Sequence, residues 1–221
     1  MGEFSADWLA LREAVDHRSR SAELATQIAA HVQSGDGGGE LRAAVRIVDL
    51  GAGTGSNVRY LAPRLPMPQE WCLIDRDREL LRELPKRLSS WALDRGATVA
   101  GHGSAFEAKG GALDCRFDVR LADLSRLGQS AAVNGLFDRR TLVTASALLD
   151  LVSAAWIETL VARCRDLRAA VLFVLTYDGR ARCSPTDDDD DWIRSLVNRH
   201  QHGAKGFGRA LGPDATAWTM G

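Results

Sequence analysis

Apolar positions along this chain follow two rhythms that alternate in order. Short, nearly unbroken apolar runs occur at Val45-x-Ile47-Val48-x-Leu50, at Trp71-Cys72-Leu73-Ile74 and at Ala170-Val171-Leu172-Phe173-Val174-Leu175. Between and around them, apolar residues recur every three or four positions: Leu80, Leu81, Leu84, Leu88 and Trp91, then Trp156, Ile157, Leu160, Val161 and Leu167. Runs of the first kind predict strands buried on both faces, and those of the second predict amphipathic helices. Strand and helix in alternation predict an α/β fold with a parallel sheet covered on both sides.

The helical rhythm begins before the first strand. Trp8, Leu9, Leu11 and Val15 make one stripe and Leu24, Ile28 and Val32 another, so two helices are expected over residues 5–33. The polar joint Asp16–Ser21 separates them, with Ser21 placed to start the second. Ser34-Gly35-Asp36-Gly37-Gly38-Gly39 then stops the helix and opens a flexible linker. The expected organisation is a helical cap over 1–34, a linker over 35–44, a core over 45–180, and a helix with a flexible tail over 181–221.

Within the core, Phe117–Leu124 alternates and reads as a third strand, Arg139–Ser146 as a fourth and Ala170–Thr176 as a fifth. Residues 96–117 are rich in glycine and read as an irregular connection with room for a short hairpin. Pro85 is expected to kink the helix after the second strand or to start a new turn. Five acids, Asp187–Asp191, precede Trp192-Ile193-Arg194-Ser195-Leu196-Val197, as suits a helix N-terminus. A metal there lacks the spaced oxygen ligands of a cation loop, and no metal is expected.

The chemistry concentrates after the first strand, in Asp49-Leu50-Gly51-Ala52-Gly53-Thr54-Gly55-Ser56-Asn57. Strand, glycine-rich turn and helix in that order make a nucleotide-binding loop: glycine permits the sharp bend and the close approach of a ligand. The helix behind it offers unpaired N–H groups. A dinucleotide fingerprint needs G-x-G-x-x-G, and its third glycine position is Ser56 here. A P-loop needs a lysine, and the stretch has none. An acid two residues before G-x-G-x-G remains. In this form the stretch resembles motif I of the class I S-adenosylmethionine-dependent methyltransferases, closely so with Asn57 added. Further on, Ala145-Ser146-Ala147-Leu148-Leu149-Asp150-Leu151-Val152-Ser153 and Lys205–Pro213 are similar to segments of a bacterial, small-molecule-type subgroup of that family, and the likeness runs from about residue 8 to 213.

The resemblance implies a Rossmann-like sheet of order 3-2-1-4-5, S-adenosyl-L-methionine as cofactor, and a cap of N-terminal helices over it. It implies cofactor contacts from Asp49, Gly51, Ala52, Gly53, Thr54, Gly55 and Asn57, and from Asp75 and Arg76, Asp123 and Leu124, and Ser146 at later strand ends. Asp75, 20 residues past Gly55, stands where a carboxylate accepts both ribose hydroxyls. Asp77 reads as the cap of the following helix. Asp123 fits the acceptor of the adenine amine, with a helix cap as the competing reading. Catalysis implied by the family is in-line attack on a sulfonium methyl, which needs positioning and exclusion of water more than a base. Where deprotonation is required, the candidates are Asp150, Tyr177 and Asp178.

Composition adds little and excludes some classes. The 221 residues carry a net charge of −1, with 45% hydrophobic and 26% charged residues, ordinary for a soluble domain. No basic block suggests nucleic acid, and no apolar run approaches the ~20 residues that span a bilayer. The start, Met1-Gly2-Glu3-Phe4-Ser5, does not read as a secretory leader, and a cytoplasmic protein with a small-molecule methyl acceptor is expected. Cys72, Cys115, Cys164 and Cys183 form no C-x-x-C pair and read as buried or incidental thiols. After the fifth strand no sixth and seventh strands are legible, so a truncated chain is expected, with self-association through the exposed edge of strand five. Two rivals stand beside this reading: an NAD(P)-dependent oxidoreductase using the same loop, and a cofactor-binding but non-catalytic partner subunit.

Overall fold

A computed structural model describes residues 5–34, 43–138 and 142–220. Two helices, α1 (Ala6–Arg18) and α2 (Ala22–Ser34), precede strand β1 (Val45–Leu50), helix α3 (Ser56–Leu61) and strand β2 (Gln69–Asp75). Helix α4 (Arg78–Leu93) leads into β3 (Thr98–His102), β4 (Ala105–Gly110) and β5 (Leu113–Leu121). Helix α5 (Ala131–Gly135), strand β6 (Leu142–Ser146), helix α6 (Ala154–Leu167) and strand β7 (Ala170–Val174) follow. The chain ends in α7 (Asp190–Gln201) and α8 (Ala215–Met220). Most of the expected linker, residues 35–42, lies outside the described residues, as do positions 139–141 at the expected start of the fourth strand.

The sheet has seven strands in the order β3-β4-β5-β2-β1-β6-β7, and this corrects the expected five-stranded parallel sheet. The five expected strands correspond to β1, β2, β5, β6 and β7, which pair in parallel. The two additional strands come from residues 96–117: β3 and β4 form an antiparallel hairpin that extends the sheet beyond β5. The glycines that obscured this stretch sit at its bends. Gly101, Gly103, Gly110 and Gly111 all have positive φ, which turns a strand tightly but masks alternation in the sequence. The third strand accordingly starts earlier and ends sooner than expected, at Leu113 and Leu121. At the other edge, no strand among the described residues pairs with the outer side of β7.

Alternate residues of the central strands feed two cores. Ile47, Trp71, Leu73, Phe117 and Leu142 pack on one face against Leu84 and Leu88 of α4 and Val58 and Leu61 of α3. Val48, Leu50, Cys72, Ile74 and Val143 pack on the other against Trp156, Ile157 and Leu160 of α6. Such two-sided burial explains why these strands read as unbroken apolar runs. Asp77 caps α4 as expected, accepting from the backbone of Glu79 and Leu80 at 2.9 and 3.2 Å. Pro85 does not interrupt α4, which is anchored into one core on both sides of it by Leu84, Leu88 and Trp91. Cys72, Cys115 and Cys164 are buried thiols and Cys183 is exposed. No helix among the described residues is long and apolar enough to cross a membrane.

The segment after α7, read from the sequence as a polar, flexible tail, packs back onto the body. Phe207 bridges to Val152 and meets the Trp156 ring edge-on at 5.4 Å between centroids. The Leu211 amide donates to the Val152 carbonyl at 2.8 Å, and Ala210 and Ala215 are buried. A few apolar residues among polar ones suffice for this anchoring, too few to set a rhythm in the sequence.

Candidate cofactor and acceptor site

The carboxyl ends of β1, β2, β5 and β6 converge on a cavity of about 650 Å³, of the size that takes a small ligand. This is the edge at which open α/β sheets bind ligands. Its floor is the glycine turn. Gly51 and Gly53 line it and have φ of +70° and +53°, conformations that glycine adopts without strain. A Cβ on either would meet only Leu148 Cδ1 at 3.8 Å or Leu9 Cδ1 at 3.5 Å, so the backbone there lies open to the cavity. Gly55, at φ +83°, serves packing instead, since a Cβ would stand 3.1 Å from the Leu88 side chain.

Asp75 closes β2 on the cavity wall. One carboxylate oxygen accepts from the Gly53 amide at 2.8 Å and the other from the Asp77 amide at 3.0 Å. The carboxylate thus holds the turn in shape and keeps lone pairs for a ligand. Burial pushes its pKa up, against those amide hydrogen bonds. Arg76, Leu124 and Ser146 also reach the wall. Ala122 and Leu124 follow β5, where the Ala122 amide is spent on the Asp75 carbonyl.

Six of the expected cofactor residues do not line the cavity: Asp49, Ala52, Thr54, Gly55, Asn57 and Asp123. Most of them build the floor from below. The Ala52 amide donates to the Ile74 carbonyl at 2.9 Å and the Gly55 amide to the Ala52 carbonyl at 2.8 Å. The Thr54 carbonyl accepts from Arg59 at 2.7 Å. Asn57 donates to Asp49 at 2.7 Å and to Thr144 at 3.1 Å, while Arg20 donates to Asn57 and, at 3.0 Å, to Ser146. Asp49 is buried and its pKa is pushed up to about 7 by desolvation, with Asn57 and Arg20 working the other way. Two buried atoms in this network, Asp49 Oδ2 and Arg20 Nε, have no hydrogen-bond partner in the structure. Asp123 is exposed and caps the 3-10 turn after β5, accepting from the Ser125 amide at 3.0 Å. That is the capping one of its two readings, and its side chain does not line the cavity.

The catalytic candidates are not brought together at the cavity. Asp150 is buried, with one oxygen unpartnered and a pKa raised by burial, against backbone hydrogen bonds that include the Tyr177 amide and against the charges of Arg12 and Lys205. The Tyr177 hydroxyl donates to Asn198 at 2.7 Å. Asp178 is tied to Arg180, and that contact lowers its pKa. Tyr177 therefore ties the segment after β7 to α7, and Asp178 pairs locally within that segment.

Three contributions were not named residue by residue in the sequence, although it placed the N-terminal helices as a cap over the site. Helix α1 roofs the cavity with Trp8, Leu9 and Arg12. It is fixed to α3 by the Arg59–Glu13 ion pair, at 2.6 Å from Nε, and by His17, 3.1 Å from the Ser56 carbonyl and hydroxyl. Burial lowers the His17 pKa, partly offset by its bond to Ser56. Lys205 and Phe207 reach the cavity from the folded-back tail. Arg20, 7% exposed, sits in the polar joint between the two N-terminal helices. Its neighbours Arg18 and Ser19 look alike in sequence, and nothing there singled it out.

No protein-family model matches the chain, and no curated protein matches it in sequence. Forty-six chains of solved structures resemble it in shape. One is a possible exported protein from Bordetella parapertussis, at 15% identity and TM-score 0.47, covering 100% of this chain and 65% of its own. The CurJ carbon methyltransferase has 13% identity and TM-score 0.44 over 69% of this chain, which spans 35% of it. An S-adenosyl-L-methionine-dependent methyltransferase proposed for Methanococcus maripaludis has 10% identity and TM-score 0.42, over 90% of this chain and 75% of its own.

Proposed function

We propose that this chain is an S-adenosyl-L-methionine-dependent methyltransferase acting on a small-molecule acceptor. One observation carries the reading: two open-faced glycines and a strand-end carboxylate, Gly51, Gly53 and Asp75, share one wall of the cavity where the strand ends meet. Around that wall the residues fit the cofactor piece by piece. Asp75 would accept the ribose hydroxyls on the lone pairs that the Gly53 and Asp77 amides leave free. Ala122 and Leu124 offer apolar contact for a purine. Ser146, held by Arg20, brings a buried cation to the side suited to the methionyl carboxylate.

When bound, the cofactor supplies an electrophilic methyl group. The chain's part is to hold the acceptor in line with it and to exclude water. Helix α1, through Trp8 and Leu9, and the tail, through Phe207, roof the cavity with apolar side chains suited to that. None of Asp150, Tyr177 and Asp178 lines it, which favours an acceptor that is nucleophilic without a protein base.

Calorimetric titration with S-adenosyl-L-methionine, with NAD and NADP as controls, tests the proposal, followed by turnover of methyl-labelled cofactor with a metabolite panel. Saturable binding of S-adenosyl-L-methionine with transfer to an acceptor is the expected result. Binding of the nicotinamide cofactors alone would overturn it, and binding without turnover on any acceptor would favour a non-catalytic subunit.

A further inference from the structure

Helix α7 is mounted with its polar side inward. Its faces toward the body carry Arg194, Asn198 and Gln201, which are only half-buried. Asn198 accepts from the Tyr177 hydroxyl and donates to the Gly179 carbonyl, and Gly212 lies beside the Gln201 backbone. The apolar stripe points the other way: Trp192, Ile193, Leu196 and Val197 are 63, 51, 37 and 41% exposed. No residue of α7 is buried. Four large apolar side chains gathered on one helix face, with a tryptophan among them, are costly in water unless something covers them.

We infer that this face of α7 is an isologous interface, and that a second copy of this chain covers it. The charge pattern points to self-pairing. The acids Asp187–Asp191 stand at the N-terminal end of α7, and Arg199 and His200 stand in its last turn. The apolar stripe lies between them, near the middle of the helix. A twofold axis through that stripe sets two helices antiparallel, each acidic end beside the other's basic end, with opposed helix dipoles. The same acids disfavour an anionic membrane surface as the occupant. This places self-association on α7 and not on the outer edge of β7, where the sequence alone led it to be expected.

Sedimentation velocity of the full chain across about 1 to 100 µM tests this, the range in which an interface of one helix pair is expected to populate a dimer. The wild type is expected to shift from monomer to dimer in that range, and Ile193→Glu and Leu196→Glu to remain monomeric with an unchanged far-ultraviolet spectrum. Both side chains are exposed, so neither substitution removes a core contact. Asp188→Lys and Arg199→Glu should each weaken the dimer by about tenfold, and the two in one chain should recover most of it. A wild type that stays monomeric at the highest concentration overturns the inference. So does a dimer indifferent to the α7 variants, and so does one that Val171→Lys on β7 abolishes while the α7 variants do not.

Discussion

The two sides of β1 are built to different standards. Toward β2 and β5, strand ends, glycine turn and α4 are locked together: Asp75 holds Gly53, Asp77 caps α4, and Leu88 packs under Gly55. Toward β6 and β7, no further strand among the described residues extends the sheet, long connections and helices α7 and α8 follow, and α7 leans on the body through an asparagine and a glutamine. Helices α4 and α7 make the contrast concrete. Both have an apolar stripe at helical spacing; α4 buries Leu80, Leu84, Leu88 and Trp91, whereas α7 buries none of its own. Amphipathic periodicity says that a helix has an apolar face and leaves open what that face meets. On the side of the glycine turn the fold itself supplies the partner.

The sharpest way to break this comparison is to truncate a leucine on each helix. Leu84→Ala, in a fully buried position, should cost roughly 2–5 kcal/mol in chemical denaturation through the lost burial and the cavity left behind. Leu196→Ala should change the stability of the monomer by less than about 0.5 kcal/mol. Equal costs would mean that α7 is as deeply integrated as α4.

The buried network under the turn makes a pH-dependent prediction. The Asp49 pKa in the folded chain, about 7, lies above its ordinary value of 3.8 because of burial, so between these values the folded state binds more protons than the unfolded one. Stability therefore falls as pH rises from about 4 to about 7 and stays lower above that. Asp49→Asn should flatten this segment of the stability–pH curve and gain on the order of a few kcal/mol at pH 8. Equal unfolding free energies from urea melts at pH 5 and pH 8, or the same difference between them in Asp49→Asn, would contradict the assignment.

Asp75→Ala should weaken cofactor binding by about 10- to 100-fold, the loss of a charge-assisted contact together with a support of the Gly53 turn. On the β7 side, Tyr177→Phe and Asp178→Asn should leave turnover within about threefold, since both side chains serve the joint with α7 and its flank. A large loss of kcat in either, at unchanged stability, would restore it as a catalytic residue.

What the sequence made legible follows the same division. The five parallel strands and the glycine turn were readable because two-sided burial leaves long apolar runs, and because left-handed backbone leaves glycine. Asp77 was readable as a cap, and Asp75 as the carboxylate that ends β2, because each is set by its place relative to one strand end. The β3–β4 hairpin was not, since its glycines interrupt the alternation and its outer strand is mostly exposed. Arg20 was hidden because its partners, Asn57 and Ser146, lie 37 and 126 residues away. The roles of Tyr177 and Asn198 depend on a loop and a helix meeting in space, which no local rhythm records.

The most direct test of the account is a crystal structure with S-adenosylhomocysteine bound. The account predicts its ribose hydroxyls on Asp75, its purine against Ala122 and Leu124, and its amino acid end along Gly51 and Gly53 toward Ser146. A ligand seated elsewhere, or a cavity at the strand ends that stays empty at saturating ligand, would contradict it.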